Sequence, residues 1–281
     1  MSTSIGGLVA VYTRLIVQDF DPVSLGLLRY GIALLCLFAG MMWIQRPALS
    51  RSDRVPMALI GMLFFSVFPV GFSVALKYTT AAQGALVFSL MPVITIILAG
   101  VAKKEIITNK KICGSLLVFL GVASVVDIDF DADKETVLGN MIMFLMACLG
   151  AGFNLLARPY LKRYNKLYAT TWFMFWGWLA MFVALVCSGQ LEFSVPPRDI
   201  WVTIFILGSI GGALPIFLFN WALGHIESTR VSLSIGFNPL VAAIAGAVVL
   251  SEPFTVFNFL GLMLVVVGIS IANWRPLVDT N

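Results

Sequence analysis

Two stretches decide the fold of this chain: ALKYTTAAQGALVFSLMPVITIILAGVAKKEIITNKKICGSLLVFLGVASV, residues 75–125, and ALGHIESTRVSLSIGFNPLVAAIAGAVVLSEPFTVFNFLGLMLVVVGISIA, residues 222–272. At an offset of 147 residues they align without a gap, and about a quarter of the positions are identical. Apolar composition alone would scatter Leu and Val matches. It would seldom also pair Pro92 with Pro239, Glu105 with Glu252, Thr108 with Thr255, Gly114 with Gly261 and Gly121 with Gly268.

Working outward, the apolar residues fall into blocks near 5–17, 24–44, 56–76, 81–102, 112–126, 138–157, 168–187, 201–223, 229–250 and 258–273. Most of these lengths suit helices crossing a hydrocarbon layer about 30 Å thick. The totals agree: 60% hydrophobic, 11% charged and a mean hydropathy of +0.98, against roughly 25% charged residues in a soluble domain. The first block is the exception, since about 13 residues at 1.5 Å each cover only ~20 Å. It reads as a truncated helix one or a half-helix.

The joints between blocks carry breakers such as Asp21 with Pro22, the acidic run 127–135, and Pro196 with Pro197. Basic residues occupy alternate joints: Arg46, Arg51 and Arg54; Lys103, Lys104, Lys110 and Lys111; Arg158, Lys162, Arg163 and Lys166; Arg230; and Arg275. The intervening joints are acidic or nearly neutral. By the positive-inside rule both termini face the cytoplasm, as an even count of ten helices requires. The net charge of +4 is therefore topology information and implies no nucleic-acid partner; the expected partners are membrane lipid and a small solute, and the sequence leaves the oligomeric state open, a monomer included.

Five helices per copy invert the second copy relative to the first. The expected architecture is all-α, with repeats over 1–126 and 137–273 related by a pseudo-two-fold axis in the membrane plane and a solute site between them. Glu105 lies among lysines while Glu252 has none nearby, as expected of one motif used upside down.

At these residues, together with Arg29 entering helix two, the chain resembles the drug/metabolite transporter superfamily, in its EamA-type ten-helix branch. The resemblance covers nearly the whole chain in two copies. It implies a secondary transporter, among them amino-acid and metabolite exporters, with a central cavity bounded by helices one, three, four, six, eight and nine. It specifies the fold strongly and the substrate weakly, and the short first helix departs from the family pattern.

The chemistry-bearing residues are few. Pro92 and Pro239, near the middle of helices four and nine, each remove a backbone donor and either kink the packing or bow the helix for gating. Gln83, Ser89, Asn154, Asn220, Ser234 and Asn238 are polar at apolar depth, either as interhelical glue or as solute contacts. Arg230, Ser234 and Asn238 recur at i, i+4 and i+8. Arg14, inside an apolar segment, either snorkels or captures a substrate carboxylate, and Arg29, entering helix two near the same face, carries the same two readings; together they form an outer electropositive spot or pair with Asp19 and Asp21. Tyr12 and Tyr78 belong to an interfacial belt or the cavity, and Trp172 with Trp176 to that belt or a wall for a flat solute. His225 is a loop histidine or a proton-coupling group.

No phosphate-binding GxxxxGK[ST], HExxH or GxSxG occurs, and the four cysteines show no ligand spacing. The expectation is no enzyme, no cofactor and no metal. Sparse buried charge disfavours a highly charged solute and fits a small zwitterionic or largely apolar metabolite, an amino acid or derivative; that such a solute is exported is what the resemblance implies. A channel-like facilitator, or a carrier of a nucleoside or cofactor-type metabolite, is the alternative.

Overall fold

The computed structural model describes residues 2–18, 20–44, 49–79, 81–124, 134–187, 196, 198, 200–238, 241 and 256–273. Among them the chain is helical and contains no strand. The helices are α1 (Ser2–Val17), α2 (Pro22–Met41), α3 (Arg51–Tyr78), α4 (Ala81–Phe88 continued by Met91–Val101), α5 (Asn109–Ala123), α6 (Lys134–Arg163), α7 (Lys166–Cys187), α8 (Trp201–His225), α9 (beginning with Ser228–Leu233) and α10 (Val256–Asn273). Five of them, α2, α3, α6, α7 and α8, are long and apolar enough to cross a membrane alone, while α1, α4 and α10 contain shorter apolar helices.

Helices α3 and α6 extend beyond their apolar blocks because polar residues at one end are fastened to each other. Asp53 near the start of α3 accepts from Tyr164 Oη at 2.7 Å and pairs with Arg163 Nη1 at 2.6 Å. Large apolar side chains elsewhere face outward, among them Leu35, Leu63, Ile97, Leu120, Met141, Phe205 and Phe259. In water that surface would be prohibitive; it is the surface lipid requires.

Four helices are interrupted, each at or near a proline. In α3 the turn Leu63–Val67 is a π-helix preceding Pro69, and in α8 Ser209–Ala213 is a π-helix preceding Pro215. Pro lacks the N–H that would continue the ladder, so the preceding turn widens. In α4 the helix stops at Phe88 and resumes at Met91, with Pro92 in the first turn of the new segment. In α9 the 3-10 turn Ser234–Gly236 interrupts at the positions equivalent to 87–89 of α4. Pro239 itself lies outside the described residues.

The relation between the halves is visible where α5 meets α10. A Cβ added to Gly114 would come within 2.5 Å of Gly268 O, and one added to Gly268 within 2.6 Å of Gly114 O. Gly121 would likewise approach Gly261 O at 2.7 Å. Under the 147-residue offset Gly114 becomes Gly261 and Gly121 becomes Gly268, so each contact maps onto the other with the helices exchanged. That is the signature of a two-fold axis between antiparallel segments. The α3–α7 packing, where Gly61 and Gly177 touch backbone, has its counterpart where Gly208 and Gly212 of α8 meet Arg29 O and Ala33 of α2.

The α5–α10 contact supplies the first test. Gly114→Val or Gly268→Val forces the helices apart, and overpacking of this kind costs about 1–3 kcal/mol. We expect each variant to melt several degrees lower in detergent, while Gly152→Ala, which meets open space, leaves the melt unchanged.

Candidate functional site

A central cavity of about 180 Å³ lies between the halves. Its wall takes residues from α1, α2, α3, α4, α6, α8 and α9, and the interrupted turns of α3 and α8 deliver several of them. The aromatic side is a ladder. Phe64 stacks on Phe153 (centroids 4.2 Å apart) and on Phe68 (4.7 Å), Phe68 on Phe72 (5.7 Å), and Phe72 meets Phe88 edge-on at 5.9 Å. Phe64, Phe68 and Phe72 follow one another at i+4, so one face of α3 presents the whole series.

The polar side chains of the wall are Arg29, Tyr30, Asn154, Asn220 and Asn238. Asn220 is settled, donating from Nδ2 to Thr170 Oγ1 at 3.1 Å. Asn154 is 1% exposed, and neither its Oδ1 nor its Nδ2 has a hydrogen-bond partner. Asn238 lies against Gly6, and its Oδ1 also lacks a partner. Arg29 reaches from α2 across to Gly211 O at 3.3 Å and Thr13 Oγ1 at 3.5 Å, with Tyr30 beside it and Nε unpaired.

The sequence candidates thus divide. Asn154, Asn220 and Asn238 come together on the cavity wall. Ser234 does not join them, because the 3-10 turn breaks the i+4 register and its hydroxyl donates to Val231 O; Arg230 pairs with Glu227 instead. Pro92 is buried at the break in α4, where Ser89 donates to Leu86 O. Gln83 and Arg14 gather at Thr79, whose carbonyl accepts from Arg14 Nη1 at 3.1 Å. Tyr12 and Tyr78 are substantially exposed. Trp172 and Trp176 pack edge-on against each other on α7, away from the cavity. His225 Nδ1 lies 2.7 Å from Trp221 O.

Arg29 is a cavity residue for which sequence left several roles open: snorkelling, capture of a carboxylate, an outer electropositive spot, or pairing with Asp19 and Asp21. Asp21 is occupied as the N-cap of α2, accepting from Ser24 N at 2.7 Å, and Asp19 lies outside the described residues. The phenylalanine ladder was missed, although its i+4 spacing is readable in the sequence.

A second polar centre ties one end of the bundle, the end where the basic joints gather. Lys103 adopts a left-handed φ of 50°, and Lys104 N donates to Ala99 O, a cap that closes α4 and turns the chain. The turn delivers Glu105, with a side chain 1% exposed, to the start of α9. There it accepts from Ser228 N (2.7 Å), Thr229 N (3.4 Å) and Thr229 Oγ1 (2.8 Å), and pairs with Arg158 Nη1 (3.3 Å) and Lys111 Nζ (3.8 Å). Lys111 also reaches Glu227 at 3.1 Å, and Arg158 Nε donates to Ile226 O at 3.0 Å. At the opposite end Arg14 makes the corresponding bond to Thr79 O. Residue 226 is residue 79 advanced by 147.

Comparison with known proteins places this architecture. The profile of the EamA-like transporter family matches residues 2–126 and again 137–274. A Bacillus subtilis protein described as uncharacterized transporter YyaM is 27% identical over 94% of this chain and 88% of its own length. An uncharacterized transporter of Archaeoglobus fulgidus is 24% identical over 96% of this chain and 95% of its own. A crystal structure of a protein 16% identical superposes with a TM-score of 0.73, over 95% of this chain and 96% of that one, and so shares the fold.

The Glu105 cluster makes its own prediction. Glu105→Ala leaves Arg158 and Lys111 without their buried carboxylate, and breaking a buried pair costs about 3–5 kcal/mol. We expect a markedly lower melting temperature in detergent for Glu105→Ala and a smaller fall for Glu105→Gln, which keeps an acceptor for Ser228 N.

Proposed function

Because the chain belongs to the EamA-like transporter family, we propose that it is a secondary transporter that exports a small zwitterionic or largely apolar metabolite, an amino acid or derivative, by alternating access of the central cavity. The single observation that carries the reading is Asn154: a buried amide on the cavity wall with neither polar atom partnered. An unmet buried polar group costs about 1–3 kcal/mol. A solute that hydrogen-bonds there relieves the cost, and the phenylalanine ladder accepts its apolar body.

Alternating access follows from the repeat. Two inverted halves can exchange conformations, so that what is tied at one end becomes free while its counterpart is tied at the other. Arg158 on Ile226 O and Arg14 on Thr79 O are the matched fastenings. The repeats run over 1–126 and 137–273, and the interrupted α4 and α9 are the elements that bend. In this reading the membrane is a bacterial inner membrane, with the basic end and both termini on the cytoplasmic side, the orientation that positive-inside sorting of the basic joints supports. The described lining of the cavity comes from one chain, which is compatible with a monomer surrounded by lipid; the sequence carries no phosphate-binding loop, and the reading takes its energy from solute or ion gradients.

Counterflow in proteoliposomes over a panel of labelled amino acids and related metabolites tests this. Saturable exchange of one compound is expected, slowed at least about tenfold by Asn154→Leu, roughly the loss of one or two hydrogen bonds. Membrane insertion should be unchanged. A non-saturable flux would replace the carrier with a pore.

A further inference from the structure

Arg29 is a permanent cation in the middle of an apolar bundle, and the groups around it do not balance it. Its side chain lines the cavity, and a guanidinium offers five N–H donors and does not deprotonate in proteins. Two long bonds to neutral oxygens, Gly211 O at 3.3 Å and Thr13 Oγ1 at 3.5 Å, are its hydrogen bonds, and Nε has none. Among the described residues no carboxylate lies within ion-pairing distance of it. Buried arginines at membrane depth are normally paired.

We propose that the missing partner is the solute: Arg29 receives the carboxylate of a small organic monoanion whose apolar, preferably aromatic, body lies along the Phe64–Phe68–Phe72 ladder. This rests on the reading of the cavity as the translocation site. The fork of a guanidinium matches a carboxylate in two parallel bonds, and Asn154, with both polar atoms free, supplies a further donor for the same group. One cation neutralises one negative charge, which disfavours dianions such as phosphate esters. Among the described wall residues there is no Asp or Glu, so an ammonium group would enter without a counter-charge and a zwitterion would trade water for little, which narrows the solute class proposed above to its largely apolar, carboxylate-bearing derivatives. The site therefore prefers the acid to the corresponding amino acid, and both to the amine.

The test uses three matched probes, 3-phenylpropionate, phenylalanine and phenethylamine, in equilibrium binding to the full chain in detergent micelles. We expect 3-phenylpropionate to bind at least about tenfold more tightly than phenylalanine, the cost of about one unsatisfied charged group, and phenethylamine not to bind saturably. Arg29→Gln should abolish saturable binding of the acid while melting, without ligand, no lower than the wild type, because it removes an unbalanced buried cation. Arg29→Lys, which keeps the charge and loses the fork, should weaken binding without abolishing it, and it stands in should Arg29→Gln not fold. Equal binding of the acid by wild type and either variant, or tighter binding of phenylalanine or phenethylamine than of the acid, overturns the proposal. Counterflow separates the two readings. Arg29-dependent binding without exchange of any compound would sink the transporter reading and leave the carboxylate site; exchange that survives Arg29→Gln at wild-type rates would do the reverse.

Discussion

A backbone N–H or C=O released inside a bilayer has no water to turn to, and this single constraint arranges the rest of the molecule. Nearly every described residue is therefore in helix, and the ladder is opened where the freed groups find protein or cavity. The π-turns of α3 and α8 and the breaks of α4 and α9 all lie beside the central cavity. Gly211, within the π-turn of α8, gives its carbonyl to Arg29, so the irregularity introduced near Pro215 also holds the cavity's one described arginine. Shape and charge at the site share a cause.

The same constraint explains why glycine, instead of bulk, joins the halves. Helices in lipid gain nothing from hiding apolar surface from lipid tails, so association depends on close backbone approach. Gly114, Gly121 and Gly268 bring α5 and α10 to within a Cβ's width of each other's carbonyls. This seam leaves α5 and α10 out of the cavity wall and frees α4 and α9, which precede them, to line it. The seam is symmetric because the residues that form it are copies of one another.

Composition, block lengths and the 147-residue repeat made the helical bundle and its internal symmetry legible, because each depends on many residues acting alike. The matched pair Gly114 with Gly261 and Gly121 with Gly268 even encoded the seam, although its contacts cross between the pairs. The cavity was less legible. Asn154 and Asn238 were readable as polar residues at depth, but that reading does not separate them from Asn220, which Thr170 satisfies. Ser234 was misdirected by assuming a regular helix through a 3-10 turn. Arg29 was readable as a snorkelling or carboxylate-capturing arginine, but with Asp21 eight residues away the sequence did not separate those roles from pairing with an acidic neighbour; only the fold reveals that Asp21 is committed to capping α2 and that α8 packs against this part of α2.

Departures from the repeat carry their own meaning. Arg158 and Arg14 grip equivalent carbonyls, but their surroundings are not equivalent: Lys111 and Glu227, which join the Glu105 cluster, correspond to Asn258 and Thr80. A perfectly symmetric carrier would hold its two ends with equal strength and populate its two states equally. Lys111 and Glu227 bring to one end two charges that the equivalent sequence positions do not carry, and a few kcal/mol decide an equilibrium between two such states. Under the proposed alternating access, this asymmetry favours the arrangement in which the basic end is tied. A solute bound between Arg29 and Asn154 would then act against that bias by whatever extra affinity it has for the opposite state, which makes the charge of the solute and the strength of the Glu105 cluster two sides of one equilibrium.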